Sequence, residues 1–196
     1  MSNLPLILGS SSPFRKMLLE RLMIPFETAN PDIDETPLDG EDPISLVERL
    51  AILKAKEIAK TQPDSLIIGS DQVALHSQQI VGKPHTHERA VEQLKAASGK
   101  KIELFTGLAL INSSTGSIQS EVIPFTVHFK TLSESTIERY LRKEEPYNCA
   151  GSVRSEGLGV ALFEKFEGDD PNALIGLPLI RLVSMLENQG FDIFAH

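Results

Sequence analysis

The chain has 196 residues, with 27 Asp and Glu against 19 Lys and Arg, a formal net charge of −8 and a pI near 5.2. A composition of 41 % hydrophobic and 23 % charged residues is typical of a soluble globular protein. The acidic balance, without a basic block, disfavours proteins that bind DNA, RNA or anionic membrane surfaces. A single cysteine, Cys149, indicates a reducing compartment, and no apolar run approaches the ~18 residues of a membrane helix. We therefore expect a cytoplasmic protein.

Apolar runs, prolines and polar turns predict the elements of the first half of the chain. Proline is favoured in the first helical turn, so Pro13 and Pro43 indicate the starts of two helices, the second capped by Asp42. We predict a strand at 6–8, a helix at 13–22, a short strand at 26–29, a helix at 43–60 and a buried strand at 66–71 that ends in polar residues.

The second half of the chain predicts hairpins as well as helices. A hairpin follows the strand at 66–71 and runs through Ile80 and Val81. We then predict a helix at 86–97, strands at 102–112 and 117–130, a helix at 133–142 and an amphipathic helix at 178–188. Helices alternating with strands and hairpins predict an α/β protein with a mixed sheet. Because there is no linker or repeat, we expect one domain over residues 1–196.

The first turn, from Gly9 to Pro13, has the composition of an anion site. A strand that leads through serines into a helix presents backbone N–H groups, hydroxyls and the positive end of a helix dipole. Arg15 and Lys16 follow in the first helical turn, where cations oppose the dipole unless an anion is bound. An ordinary serine helix cap is the alternative interpretation.

Lys54 is the unusual residue of the helix predicted at 43–60. The apolar residues Val47, Ala51 and Ile58 form one stripe at helical spacing, and Lys54 falls on the same stripe. A lysine on a buried face needs a partner. Two interpretations stay open: a stem packed on the core with its amine in water, or a cation directed into a site.

Asp71 and Lys83 are the other candidates for chemistry. The strand at 66–71 ends in Gly-Ser-Asp, which predicts a carboxylate at the carboxyl end of a strand, where α/β sheets bind ligands. Asp71 is therefore a candidate metal ligand or general base. The loop Gly82-Lys83-Pro84 adds a cation, and the acidic loop around Glu35 offers oxygens for Mg²⁺. Cys149 lies in a run of small residues and is interpreted as a packed thiol, not a nucleophile.

An ordered set of short motifs covers essentially the whole chain. In chain order the motifs are Ser10-Ser11-Ser12-Pro13-Phe14-Arg15-Lys16, Asp34-Glu35-Thr36, Lys54-Ala55, Gly69-Ser70-Asp71-Gln72-Val73, Gly82-Lys83-Pro84, Phe105-Thr106-Gly107, Cys149-Ala150-Gly151-Ser152, Glu167-Gly168, Asp170-Pro171-Asn172 and Gly176-Leu177-Pro178. The set resembles the Maf-like nucleotide pyrophosphatases, and most closely their 7-methyl-GTP pyrophosphatase branch.

The resemblance implies hydrolysis between the α and β phosphates of a nucleoside triphosphate with a divalent metal, Mg²⁺ or Mn²⁺. It implies an elongated, twisted mixed sheet flanked by helices, with the active site in a cleft between two lobes, and a possible homodimer. The general base corresponds to Asp71. The phosphate-binding positions are Ser10, Arg15, Lys16, Lys54 and Lys83, and the metal positions are Glu35 and Asp71.

Substrate choice in the family depends on three positions, which here are Phe14, Gln72 and Glu156. A 7-methylated guanine is cationic, so an aromatic face at Phe14 suits it, and an ionised Glu156 accepts from its N–H donors. This chain departs from the branch at two positions, with Phe14 where the branch typically has Trp and Lys16 where it typically has Arg. From the resemblance as a whole, we expect removal of 7-methyl-GTP from the nucleotide pool. The alternatives are dTTP, UTP or another non-standard nucleotide as substrate, and a nucleotide-binding regulator of cell division.

Overall fold

The computed structural model of the protein describes residues 4–195 and shows an α/β fold, as predicted. The strands are β1 (Leu6–Gly9), β2 (Glu27–Ala29), β3 (Leu66–His76), β4 (Gln79–Ile80), β5 (Lys101–Asn112), β6 (Ser117–Phe129) and β7 (Phe163–Glu167). The helices are α1 (Pro13–Glu20), α2 (Pro43–Ala59), α3 (His87–Ala97), α4 (Glu134–Glu144) and α5 (Leu179–Asn188). Among the described residues, no helix is both long and apolar enough to cross a membrane.

The strands form one mixed sheet in the order β2-β1-β3-β5-β6-β7, and β4 pairs with β3. Strand β1 is parallel to β2 and to β3, where Leu6 pairs with Leu66 and Gly9 with Gly69. The β3–β4 and β6–β7 pairs are antiparallel. The mixed sheet predicted from hairpins among alternating helices and strands is confirmed.

The chain divides into two compact units. The first consists of residues 1–72, 105–123 and 170–196, and the second of residues 73–104 and 124–169. The first unit has an aliphatic core that includes Ile7, Ile58 and Ile111. In the second unit, Phe163 packs edge-on against Phe129 and Phe166, with ring centroids 5.1 Å and 5.2 Å apart. A single domain over residues 1–196 stays a prediction.

Glycines let helix α2 lie directly on the sheet of the first unit. A Cβ atom added to Gly69 of β3 would lie 2.1 Å from the carbonyl oxygen of Ala51, and one added to Gly107 of β5 would lie 2.2 Å from that of Val47. No real Cβ atom tolerates such distances, so only glycine allows this separation of helix and strand. The close approach sets the depth of the next turn of α2, which carries Lys54.

The helix starts agree with the sequence predictions because capping is local. Asp42 accepts hydrogen bonds from the amides of Ile44 and Ser45 at 2.9 Å and 3.1 Å, and Ser12 accepts from Arg15 N at 3.4 Å. The start of α5 is different, since its cap comes from a distant residue. The buried Asp170 carboxylate accepts from Ile180 N at 2.7 Å.

The sheet differs from the sequence prediction at two strands. The hairpin predicted after the strand at 66–71 is confirmed, but its first strand runs unbroken from Leu66 to His76, where Leu75 and His76 pair antiparallel with β4. Asp71 nevertheless lies just beyond Gly69, the last β3 residue that pairs with β1. Strand β7 was not predicted, because its mostly exposed sequence Phe-Glu-Lys-Phe-Glu lacks a buried apolar run. The strand is defined by its pairing with β6.

Candidate active site

Lys54 lies at the centre of a charged group in the first unit. Its Nζ atom lies 2.6 Å from Asp71 Oδ1 and 2.7 Å from Glu35 Oε1. The side chain of Lys54 is 7 % exposed and that of Asp71 13 %, whereas that of Glu35 is 58 % exposed. The structure therefore favours the buried, paired cation over a lysine whose amine reaches water.

The loop that carries Glu35 is fixed by an arginine of α2. Arg49 Nε and Nη2 each lie 2.6 Å from one carboxylate oxygen of Glu41, a two-point ion pair. Arg49 Nη2 also donates to the carbonyl oxygen of Thr36 at 3.2 Å. Because Thr36 follows Glu35 directly, this contact restrains the backbone of the Glu35 loop. No local sequence pattern indicates this role for Arg49, because its partners lie outside α2.

The side chain of Arg15, on α1, is held by a hydrogen bond in which its Nε atom donates to the carbonyl oxygen of Gly176 at 2.9 Å. Burial lowers the pKa of Arg15, while the charges of Asp71 and Glu35 raise it. Arginine stays protonated at neutral pH, so Arg15 is a cation coupled to the same two carboxylates as Lys54. With Lys54, it balances the formal charges of Asp71 and Glu35.

The first turn is built as a serine cap. The buried Ser10 accepts at Oγ from Ser12 N at 3.1 Å, and Ser12 caps α1. Accepting uses oxygen lone pairs and leaves the hydroxyl protons available to an anion, so capping and anion binding are compatible. Phe14 is half-buried, and Lys16 is exposed with its ion-pair partner Glu20 at 4.0 Å.

Gln72 makes three hydrogen bonds through its side-chain amide nitrogen. Its Nε2 atom donates to Thr106 Oγ1 at 2.9 Å, to the Ala173 carbonyl at 2.6 Å and to the Leu174 carbonyl at 3.3 Å. The hydroxyl of Thr106 donates in turn to the Ala173 carbonyl at 2.9 Å. Thr106 belongs to one of the ordered motifs, but a buried threonine carries no functional signal in sequence until its partners are known.

Lys83 belongs to the second unit and is exposed. The carbonyl oxygen of the preceding residue, Gly82, accepts from Gln93 Nε2 at 3.0 Å and from Gly151 N at 3.3 Å. These contacts fix the backbone of the loop and leave the Lys83 side chain on its surface.

Glu156, also in the second unit, lies on a loop held by α4. The amide of Arg154 donates to the Tyr140 hydroxyl at 3.0 Å, and that of Leu158 donates to the Glu144 carboxylate at 2.7 Å. Arg154 Nε lies 3.2 Å from Glu156 Oε1. Although Glu156 is exposed as a residue, its side chain is only 16 % exposed. Hydrogen bonds to Tyr140 and Glu144 of α4 therefore fix the loop that carries Glu156.

Cys149 is half-buried in the second unit, and burial and the charge of Glu156 raise the pKa of its thiol. A raised pKa reduces the thiolate fraction, so the geometry agrees with a packed thiol and not with a nucleophile.

The fit of a divalent metal rests on the carboxylates of Glu35 and Asp71. Among residues 4–195, no group of three or more His, Cys, Asp or Glu side chains is arranged to hold a metal ion. Two carboxylates around one lysine are nevertheless the donor type that Mg²⁺ uses with substrate phosphates and water. Each has a second oxygen besides the one that contacts Lys54. The donor set fits a metal that shares its coordination with a ligand.

Comparison with known proteins gives a consistent result over nearly the whole chain. The sequence matches the family described as Maf-like protein over residues 5–189. It is 56 % identical to a protein of Nitrosococcus oceani over 188 residues, which cover 96 % of this chain and 94 % of that protein. It is 57 % identical to a protein of Pseudomonas syringae over 188 residues (96 % and 98 %) and 56 % identical to one of Vibrio cholerae over 193 residues (98 % and 100 %). All three relatives are named 7-methyl-GTP pyrophosphatase.

The fold and the charged group define an α/β protein with two carboxylates and two cations placed together on one unit. The chain belongs to the Maf-like protein family. The resemblance predicted from the ordered motifs, including the branch, is therefore confirmed.

Proposed function

We propose that this protein hydrolyses 7-methyl-GTP to 7-methyl-GMP and pyrophosphate. The observation that carries the proposal is the Lys54 group, in which a largely buried carboxylate, Asp71, lies beside a buried cation and is coupled to Arg15. The names of relatives that share more than half of this sequence over nearly its full length specify the nucleotide.

In the proposed reaction, Asp71 takes a proton from water as the water oxygen attacks the α phosphorus. A bond forms between that oxygen and the phosphorus, the bond to the oxygen bridging the α and β phosphates breaks, and pyrophosphate leaves. Lys54 orients the Asp71 carboxylate through the 2.6 Å contact. Arg15, held at Nε, offers its Nη groups to the phosphates.

The charge balance of the site supports a divalent metal, Mg²⁺ or Mn²⁺. Lys54 and Arg15 are offset by Glu35 and Asp71, so the group has no excess positive charge for a triphosphate. Glu35 and Asp71 would hold the metal, which when bound neutralises phosphate charge and draws electrons from the reacting phosphorus. Ser10, Lys16 and Lys83 would complete the phosphate contacts.

We assign base selection to Phe14, Gln72 and Glu156. An aromatic face at Phe14 stabilises a cationic base, and the ionised Glu156 accepts from N–H donors of guanine. The braced loop that carries Glu156 supports this role, since selection needs a fixed acceptor.

The first test is a competition experiment. The purified protein is incubated with Mg²⁺ or Mn²⁺ and equimolar 7-methyl-GTP, GTP, dTTP, UTP and CTP, and products are separated by chromatography. Pyrophosphate and phosphate are assayed separately, and a sample with EDTA is the control. We expect preferential loss of 7-methyl-GTP with release of pyrophosphate, and no turnover in EDTA.

Other outcomes separate the alternatives. Preferential loss of dTTP or UTP would keep the chemistry and overturn the assignment of the base. Release of phosphate without pyrophosphate would overturn the site of cleavage. Binding without any turnover would favour a nucleotide-binding regulator of cell division.

A further inference from the structure

The short turn at Pro171–Ile175, with Gly176, accepts hydrogen bonds from Arg15 and Gln72, the side chains proposed for phosphate binding and base selection. The Gly176 carbonyl accepts from Arg15 Nε at 2.9 Å, and the Ala173 carbonyl accepts from Gln72 Nε2 at 2.6 Å. Gly176 itself lies between them. A Cβ atom added there would lie 3.5 Å from Arg15 Nε and 3.9 Å from Gln72 Oε1.

Each of these two carbonyl oxygens also accepts from a buried hydroxyl of the sheet. Ser70 of β3 donates to the Gly176 carbonyl at 2.9 Å, and Thr106 of β5 donates to the Ala173 carbonyl at 2.9 Å. Both hydroxyl residues are fully buried. Each hydroxyl therefore shares a carbonyl with one ligand-facing side chain, Ser70 with Arg15 and Thr106 with Gln72.

The hydrogen-bond pattern allows Gln72 only one orientation of its amide. Thr106 gives its single proton to the Ala173 carbonyl, so its oxygen can only accept from Gln72. The carbonyls of Ala173 and Leu174 also only accept. All three groups therefore require the amide nitrogen, and a flipped amide would set oxygen against oxygen. The amide oxygen remains for the nucleotide.

We propose that Ser70 and Thr106 are positioning residues that hold the turn against the sheet by these hydrogen bonds. Ser70 fixes the carbonyl that orients Arg15, and Thr106 fixes the carbonyl that orients Gln72. Through this turn, Gln72 presents only an acceptor to the nucleotide, which favours bases with a ring N–H donor, such as the N1–H of guanine, over cytosine, whose ring nitrogen N3 is itself an acceptor. The inference rests on the proposed function, since it assumes that Arg15 binds phosphate and that Gln72 contacts the nucleoside.

The two hydroxyls have separable effects, and a pair of variants tests them. Thr106→Val removes one acceptor for the Gln72 amide and loosens the turn there, so we expect the ratio of kcat/KM for 7-methyl-GTP over CTP to fall by about five- to tenfold. Inhibition by inorganic tripolyphosphate, which has no base, should stay within about twofold. Thr106→Ser keeps the hydroxyl and should keep the ratio.

Ser70→Ala is expected to do the opposite. Loss of its hydrogen bond to Gly176 loosens the anchor of Arg15, so the inhibition constant of tripolyphosphate should rise by about five- to tenfold, with the nucleotide ratio unchanged within about twofold. A merely structural role would change both readouts together, in step with the loss of thermal stability measured for each variant.

The wild-type protein supplies a test that needs no variant. If the Gln72 amide is held by three acceptors, its side-chain protons should exchange with solvent at least about tenfold more slowly than those of the exposed Gln78, as measured by NMR. Equal exchange rates would overturn the inference, as would variants whose two readouts change in parallel or not at all. Wild-type protein that hydrolyses no nucleotide would contradict the proposed function instead, and the exchange rates would still decide the orientation of Gln72.

Discussion

The charged group around Lys54 and the loop around Glu156 are held in different ways. Lys54 and Asp71 lie on a helix and a strand, and Gly69 sets the distance between those two elements. Glu156 lies on a loop, and its position depends on hydrogen bonds from that loop to Tyr140 and Glu144. Residues proposed for the chemistry are thus fixed by backbone packing, whereas the Glu156 loop is fixed by a few side chains. We therefore expect changes in the first region to affect turnover and stability, and changes in the second to affect selectivity.

The largest effect is expected from Asp71→Asn. The amide oxygen still accepts from Lys54, but asparagine cannot take the proton of the attacking water, so kcat should fall by about 10²- to 10⁴-fold. The dissociation constant for the nucleotide, measured by calorimetry, should change only several-fold. Asp64→Asn, in an exposed turn, is the control and should leave kcat unchanged. A kcat within a few-fold of wild type would exclude Asp71 as the base.

The packing of α2 on the sheet is tested by Gly69→Ala. The added Cβ atom would lie 2.1 Å from the Ala51 carbonyl oxygen, so we expect the free energy of unfolding to fall by roughly 1–3 kcal/mol in urea titrations. Turnover should fall as well, because α2 carries Lys54. Gly82→Ala is the matched control, since a Cβ atom there meets nothing within 4 Å. Equal stabilities of the two variants would contradict this account.

Glu156→Gln tests whether the Glu156 loop acts on selectivity and not on stability. Glutamine has one acceptor oxygen and no charge, so kcat/KM for 7-methyl-GTP and GTP should fall about tenfold while that for UTP is maintained. The stability of the protein should not change. Glu164→Gln, on the exposed strand β7, controls for loss of a surface charge. A uniform loss for purine and pyrimidine nucleotides would show that Glu156 does not select the base.

Phe14→Ala tests the aromatic contact to the methylated base. A cation–π interaction of roughly 0.5–2 kcal/mol corresponds to a rise in KM for 7-methyl-GTP of about 2- to 30-fold beyond any rise for GTP. Phe14→Trp should lower the KM for 7-methyl-GTP, since Trp binds cations best. If both nucleotides respond equally to Phe14→Ala, stacking on the methylated base is wrong.

The smallest effect concerns the thiol of Cys149. Burial raises its pKa, and a raised pKa means less thiolate at every pH below it. Alkylation by iodoacetamide at pH 8 should therefore be several-fold slower in the folded protein than in the same protein unfolded in urea. The folded rate should also continue to rise at pH values where the unfolded rate has levelled off. Identical pH profiles would contradict the raised pKa.

Much of the fold could be predicted because its signals are local. The starts of α1 and α2 follow from Ser12 and Asp42, whose side chains accept from helix amides two or three residues later, and from the proline that comes directly after each of them. Strand β7 could not be found in this way, since its pairing with β6 and not its own pattern defines it. The part of β3 beyond Asp71 belongs to the hairpin that was predicted, but the sequence pattern did not show that the strand runs unbroken to His76.

The residue types of the candidate site were also predictable, and so was the family, because the ordered motifs extend along the chain. A lysine on an apolar stripe and a carboxylate after a buried strand each indicate chemistry. Sequence spacing, however, left Lys54 between two interpretations. Only the fold decided between them, by bringing Lys54 within 2.7 Å of Glu35, 19 positions earlier in the chain, and within 2.6 Å of Asp71.

The sequence by itself determined the class of the fold, the helix starts and the family, since these depend on contacts within a few residues or on motif order. Tertiary structure alone decided which side chains share a partner. The turn that ends at Gly176 receives Ser70 and Arg15 on one carbonyl oxygen and Thr106 and Gln72 on another, across 67 to 161 residues of chain. No local pattern records such contacts, because a hydrogen bond depends on distance in space and not on separation along the chain.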